Sequence, residues 1–243
     1  MTLAREAAAG GDVKRSYVQG VFSDIAPRYD LLNHLLSANI DRRWRRQAIA
    51  RLGWERRADG PYLDLCAGTL DVSVQLADTP GFRGQVVGAD FAEPMLRAGD
   101  AKRAGRPVRP VVADALQLPL GTGSMAGAIV AFGARNLADL DAGLREVHRV
   151  LEPGARFVVL EFSYPRNPLV RAAYLAYFRH VLPLVGRLVS GHRSAYAYLP
   201  ESVAHFPTGN ELAARLRAAG FATVSWRPVT FGIAAIHVAQ KGG

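Results

Sequence analysis

Cysteine, lysine and long apolar runs are what this chain of 243 residues has least of. A single cysteine, Cys66, excludes an internal disulfide. No uninterrupted apolar run reaches the ~18 residues of a membrane-spanning helix. Met1–Gly20 holds no apolar signal-peptide core, so a cytoplasmic location is expected. Lys14, Lys102 and Lys241 are the only lysines, and arginine carries nearly all the basic charge behind the net +9. A basic chain suits nucleic acid, anionic lipid or an acidic partner; a bias toward arginine codons produces the same balance. No helix-turn-helix, zinc-ligand spacing or aromatic RNA-binding signature accompanies the charge, so neither nucleic acid nor a metal is expected.

What is present is a regular alternation. From Pro61, "PYLDLCAG" reads as a buried strand and "DVSVQLAD" as a helix start. "QVVGAD" is a second strand, "EPMLRAGDAKRAG" a helix ending at Gly105, and "VRPVVADA" and "AGAIVAFG" are a third and fourth strand. "LDAGLREVHRVLEPG" is an amphipathic helix stopped by Pro153-Gly154, with "ARFVVLEFS" a fifth strand after it. Short apolar strands alternating with helices predict a parallel sheet covered on both faces. "TGNELAARLRAAGF" is a further helix, with Thr208 as N-cap and Gly220 past its end. The last stretch reads as two strands paired antiparallel through Thr230–Gly232. The chain thus reads as one domain over residues 1–243, in four parts. These are an N-terminal helical cap (13–54), a ligand-binding core (61–163), a helical lid insertion (164–206), and a C-terminal helix and strand pair (207–243).

The loop "LDLCAGTLD", residues 63–71, follows the first strand. A glycine turn after a strand, with an acid about 20 residues further on, is the general dinucleotide-fold arrangement. Here that second acid is Asp90, placed to accept from ribose hydroxyls. Yet G-x-G-x-x-G, which brings a pyrophosphate close to a helix N-terminus, is missing. Gly68 stands alone between Asp64 and Asp71. Two carboxylates repel a pyrophosphate and suit an ammonium or sulfonium ligand, of which S-adenosyl-L-methionine is one. A third acid, Asp114, follows strand three and is placed to accept from an adenine amino group, with the Ala115 N–H beside it. Three acids at the ends of three consecutive strands lie on the edge where open parallel sheets bind ligands.

"VFSDIAPRYDLLNHLLS", "LDLCAGTLD", "GADFAEPML", "ADALQLP", "AFGARN", "VHRVLEPGARFVVLEFS" and "YLPESVAHFP" together resemble the ubiquinone/menaquinone (demethylmenaquinone) C-methyltransferase family. The resemblance covers roughly Val18 to Lys241. It implies a class I S-adenosylmethionine-dependent methyltransferase fold: Rossmann-like α/β, a mostly parallel seven-stranded sheet, helices on both faces, last strand antiparallel. It also implies that Thr69, Asp90, Asp114 and Ala115 contact the donor. Three positions depart from the family pattern: Leu70 and Ala134 replace glycine and leucine, and Ala131 replaces a serine that would hydrogen-bond the donor. Glycine at position 70 supplies either ligand access or a positive φ. In the second case leucine is strained, and Leu70→Gly should tighten donor binding by about tenfold.

The implied reaction is methyl transfer to a ring carbon of a polyprenylated quinol, most simply demethylmenaquinol to menaquinol. The ring carbon becomes nucleophilic when the neighbouring phenol loses its proton, so the site needs polar groups that favour the phenolate. Arg135 of "FGARN" is placed to hold that oxygen by charge, Asn136 to orient a hydroxyl, and Tyr29 to line the pocket. Arginine stays protonated and is not itself a base. His180, His192 and His205 are candidate bases in or beside the insertion, while His148 is expected to face solvent. The insertion, with Arg171, Arg179 and Arg187 among apolar and aromatic residues, reads as a lid with an apolar inner face that also meets an anionic membrane surface peripherally. Benzoquinol or another aromatic acceptor, a homodimer, and a non-catalytic binding relative with a degraded donor loop all stay open. A dehydrogenase is disfavoured by the acids of the loop.

Overall fold

Strands β1 (Pro61–Leu65), β2 (Gln85–Asp90), β4 (Met125–Ala131) and β5 (Leu151–Phe162) are almost continuously buried, as expected of parallel strands covered on both faces. The computed structural model describes residues 11–26, 29–30, 37, 39–177 and 193–243. With β3 (Val108–Val112), β6 (Phe221–Val229) and β7 (Ala234–Lys241) these strands form one sheet of order β3-β2-β1-β4-β5-β7-β6. All neighbouring pairs are parallel except those made by β7, which runs antiparallel to both β5 and β6. The chain reverses direction outward from β1 on both sides, which leaves a crevice above the C-terminal ends of β1, β2 and β4.

Alternate residues of each strand feed two apolar layers. Leu63, Leu65, Ala128, Val130, Phe157 and Val159 point to one side. There they meet Leu144 and Val147 of α6 (Leu140–Val150) and Leu212 and Leu216 of α9 (Gly209–Ala218). Tyr62, Val86, Ile129, Val158 and Ile236 point to the other. That layer is closed by Trp44 and Ala48 of α2 (Ile40–Ile49), Val72 and Leu76 of α3 (Asp71–Ala77), and Leu96 of α4 (Glu93–Ala98).

Helix α9 begins as its sequence predicts. Thr208 and Glu211 form a reciprocal capping box, and Gly220 takes φ +105° after the last turn. The Thr230–Gly232 turn joins β6 to β7 as expected.

Two boundaries differ from the sequence reading. Helix α6 ends at Val150 rather than at Pro153-Gly154, because residues 151–154 already belong to β5. Leu151 is fully buried and pairs with Met125 ahead of a register shift, and Gly154 absorbs the irregularity at φ +77°. The helix expected over residues 93–105 is two, α4 and α5 (Asp100–Arg103), divided at Gly99. A Cβ at Gly99 would meet the Thr69 carbonyl oxygen at 2.6 Å, so only glycine lets this turn lie against the loop after β1.

On the N-terminal side, α1 (Gly11–Ile25) packs on α4, on the 134–136 turn and on α8 (Arg193–His205). Helix α7 (Pro168–Ala176) follows β5, capped by the Asn167 side chain. His180, His192, Arg179 and Arg187 lie outside the described residues. Among the described residues, no helix is long and apolar enough to cross a membrane.

Candidate active site at the C-terminal sheet edge

A cavity opens where the fold predicts one, above the ends of β1, β2 and β4. Its wall includes Cys66 and Gly68 after β1, Asp90 and Phe91 after β2, and Asp114 and Ala115 after β3. Ala131–Gly133 and Asn136 after β4 complete one side, and Arg15, Val18, Phe22 and Tyr29 roof it from the N-terminal segment. Thus Tyr29, Gly68, Asp90, Asp114, Ala115 and Asn136, all singled out from sequence, converge on one space. Asp64, Thr69, Asp71 and Arg135 do not line it, and each has a physical reason.

Asp90 anchors the loop geometry. One carboxylate oxygen accepts from the Gly68 N–H at 2.8 Å and the other from the Ala92 N–H at 2.9 Å. Burial pushes its pKa up, opposed by these hydrogen bonds. Asp90 nonetheless lines the cavity. Asp114 is partly committed too: it accepts from the Leu116 N–H and pairs with Arg15 of α1 at 2.8 Å, so the cap closes on this edge through an ion pair.

Asp64 lies one residue before the end of β1, fully buried, and accepts from the Ser73 N–H and hydroxyl at 2.9 and 2.6 Å. Burial raises its pKa to about 7. It fastens the start of α3 to the strand and is not presented to the cavity.

Asp71 is answered by the chain's own cations. Lys102 reaches it at 2.6 Å and Arg45 at 3.0 Å, and Arg45 is also held by Asp41 at 2.6 Å. Lys102 binds Asp30 and the Thr69 hydroxyl as well, and Thr69 donates to Asp30. Thr69 and Asp71 therefore clamp the loop to the N-terminal segment. The expectation that Asp71 offers free negative charge to a ligand is corrected by these contacts.

Leu70 settles both halves of the question raised by its sequence. Its φ is +66°, so the position does require left-handed backbone, and its side chain is 0% exposed in the layer with Val72, Leu76 and Leu96, away from the cavity. Gly88 makes the room, since a Cβ there would sit 2.6 Å from Leu70 Cδ2. Cys66 (φ +54°) and Phe132 (φ +63°) are also left-handed, so strained backbone borders the cavity, while Gly68 (φ +53°) takes the same conformation without strain. Leu70→Gly relieves about 1–2 kcal/mol of strain. It forfeits about 2–5 kcal/mol of buried leucine and adds chain entropy to the unfolded state. The expected outcome is a net loss of about 1–4 kcal/mol. Urea unfolding measures it, and an unchanged midpoint would show that the leucine is dispensable. The positive φ is the case in which a tightening of donor binding by about tenfold was expected; the buried side chain adds a loss of stability that the sequence did not show.

Arg135 is 8% exposed and forms a buried ion pair with Glu161, which is 2% exposed, at 2.9 Å. Glu161 also accepts from the Arg135 backbone N–H at 3.2 Å. The guanidinium donates to the Phe132 carbonyl and, at 3.3 Å, to the Ser202 hydroxyl of α8. Lys14 of α1, 9% exposed, belongs to the same charge cluster. Burial first, and then the charge of Arg135, lower its pKa to about 8, with Glu161 opposing. Among the described residues, this buried cluster holds two cations and one carboxylate, one positive charge in excess. Immediately after Arg135, the Asn136 Oδ1 is buried with no hydrogen-bond partner among the described residues. Of the histidines, His205 is exposed and outside the cavity wall. His148 is half-buried edge-on to Phe221 rather than solvent-facing.

Lys14, Lys102, Arg15, Arg45 and Glu161 went unnoticed in the sequence. For the two lysines one signal was available: in a chain built on arginine, the few lysines that occur stand where a compact ammonium is needed.

The donor set fits S-adenosylmethionine. The cavity wall carries two acids and a narrow glycine cradle: a Cβ at Gly68 would lie 3.4 Å from Met95 and 3.9 Å from Tyr29. Comparison with known proteins agrees. The Demethylmenaquinone methyltransferase of Thermus thermophilus is 49% identical over 91% of this chain and all of that protein. Its Deinococcus radiodurans counterpart is 45% identical over 94% of both chains. The Ubiquinone/menaquinone biosynthesis C-methyltransferase UbiE of Geobacter sulfurreducens is 42% identical over 94% of this chain and 90% of that protein. Among solved structures, a Thermotoga maritima SAM-dependent methyltransferase, a possible histamine N-methyltransferase, superposes with a TM-score of 0.65 at 16% identity. It covers 91% of this chain and 98% of that one, a likeness of fold alone. A model of the ubiE/COQ5 methyltransferase family matches residues 11–241. With that match, the sheet order and the acids of the sheet edge in agreement, the chain belongs to the ubiE/COQ5 methyltransferase family and is an S-adenosylmethionine-dependent methyltransferase.

Proposed function

We propose that the protein C-methylates the ring of a polyprenylated quinol, with demethylmenaquinol as the acceptor and menaquinol as the product. The observation that carries this reading is the buried Asn136 Oδ1 in the cavity wall, unpartnered among the described residues, next to Arg135 and Lys14, whose two positive charges face the one carboxylate of Glu161 described there. S-adenosylmethionine supplies a methyl group on a cationic sulfur. Asp90 would receive the ribose hydroxyls, Asp114 and the Ala115 N–H would meet the adenine edge, and the Gly68 turn would admit the methionyl part. Asn136 Oδ1 accepts from the acceptor's hydroxyl and orients the ring. Arg135 and Lys14 act through the wall as fixed positive charge, which favours the phenolate as it forms in a site of low dielectric. Tyr29, Phe22 and Val18 of the cap exclude water and hold the ring in line with sulfur and methyl. The menaquinone-named relatives from Thermus and Deinococcus support the naphthoquinol.

The test supplies labelled donor with a reduced naphthoquinone or a reduced benzoquinone acceptor, and reads product mass and ring position. Methylation of the naphthoquinol ring is expected. Turnover of benzoquinol alone would reassign the acceptor, and no product from either would overturn the reading.

Lys14 gives a pH signature. Its charge is present below about pH 8 and lost above, so kcat/KM for the acceptor should fall above that pH. Lys14→Met should lower the plateau and erase this limb. Stability runs the other way: between about 8 and 10.5 the unfolded chain holds a proton that the folded one has released, so stability rises with pH across that window. The variant should lose that rise, as read by unfolding at several pH values.

A further inference from the structure

Phe231 combines two costly features. It is an aromatic residue in left-handed backbone (φ +57°, ψ +16°), and it is 81% exposed. Glycine or asparagine would form the same turn without strain. The preceding Thr230 is left-handed too (φ +45°), but its hydroxyl accepts from Trp44 Nε1 at 2.7 Å, so the fold uses it. Among the described residues, no ring contact is made by Phe231.

The surroundings of the ring narrow its use. Phe231 stands at the rim of a groove with Phe162, Tyr164, Phe206, Trp226 and Pro228, and among the described residues the charged member of that lining is Arg166. Arg166 lies over the Trp226 ring and Arg171 over the Tyr164 ring, so each guanidinium is held at an aromatic face. Leu169, at the start of α7 between these two arginines, is also 81% exposed. Arg227, four residues before Phe231, is exposed and held by Gln47 at 3.1 Å. Two apolar tips set among arginines complement a surface that is anionic outside and apolar beneath. The groove backs onto the active-site cavity: Phe162 of its lining packs on Phe132, which lines that cavity, with ring centroids 4.7 Å apart.

We propose that the Thr230–Gly232 turn and the start of α7 form a bilayer-docking face. Phe231 and Leu169 enter the interfacial layer while Arg166, Arg171 and Arg227 meet anionic headgroups. The face attaches the protein at the surface and turns the mouth of the groove toward the lipid. Its purpose rests on the lipid-tailed acceptor proposed above, but its existence is measured without any acceptor.

The experiment is co-sedimentation with vesicles of phosphatidylcholine alone or mixed with phosphatidylglycerol, at low and high salt, alongside calorimetry with the donor and gel filtration. The wild type should bind the anionic vesicles and be released by salt. Phe231→Gly, which also relieves strain, should melt no lower and bind donor unchanged, yet partition about tenfold less. The double variant Arg166→Glu, Arg171→Glu should lose the preference for anionic lipid. Undiminished vesicle binding by Phe231→Gly, or no binding by the wild type, would overturn the docking face. So would a wild-type dimer that Phe231→Gly dissociates, because the occupant would then be a second copy. Vesicle binding through Phe231 with no quinol methylated would leave the face standing and remove the acceptor; the reverse pattern would do the opposite.

Discussion

Glu161→Ala is expected to destabilise the protein by about 3–5 kcal/mol, the usual effect of stripping one partner from a buried ion pair. For a chain of this size that is a fall in melting temperature of roughly 6–20 °C. The cause is charge left in low dielectric: Arg135 would keep its donors to the Phe132 carbonyl and Ser202 but lose the carboxylate that also receives its own backbone N–H. Lys14 would then face an uncompensated neighbour. Replacing both partners by apolar residues of similar volume, as in Arg135→Met with Glu161→Leu, should recover most of the stability, because no buried charge is orphaned. Methyl transfer should still fall, by about tenfold, since the Arg135 guanidinium next to Asn136 is gone and Lys14 alone carries the remaining positive charge. Calorimetric melting separates the two effects. A double variant with wild-type turnover would show that the pair only holds the wall together.

Asp90→Ala should weaken donor binding by about 100-fold, the effect of losing roughly two charge-assisted hydrogen bonds. Both oxygens already hold backbone N–H groups, so the substitution also loosens the Gly68 turn and the start of α4. Asp90→Asn is not a conservative rescue. Its amide nitrogen would confront either the Gly68 or the Ala92 N–H, two donors facing each other in a buried site. Both variants should therefore raise the donor Kd in calorimetry, with the melting temperature lowered only modestly. Wild-type affinity in either would place the donor's hydroxyls elsewhere.

Much of the fold was legible in the chain itself. Strand and helix periodicity located the seven strands, and the antiparallel final pair followed from one turn after a helix with caps at both ends. Local signals failed where a contact distant in sequence made the decision. Gly99 breaks a periodic helix because the Thr69 carbonyl approaches it. Leu151 leaves α6 for the sheet because β4 offers it a pairing partner.

The site divides along the same line. Sequence by itself determined which residue types stand at the sheet edge, and hence the sign of the ligand it admits: acids after successive strands, one loop glycine, no phosphate cradle. Backbone connectivity places those positions whatever the side chains do. Only the tertiary structure decided which acids remain available. Asp64 is taken by Ser73 and Asp71 by Lys102 and Arg45, while Asp90 and Asp114 keep a face in the cavity. The structure also turned Leu70 from a defect into a core residue, and joined Lys14 to Arg135 and Glu161 from helix, turn and strand far apart in the chain. The reason is the same each time. A side chain's charge is written in the sequence, but whether that charge is spent on a neighbour or left for a ligand depends on which cations and hydroxyls the fold brings within a few ångströms.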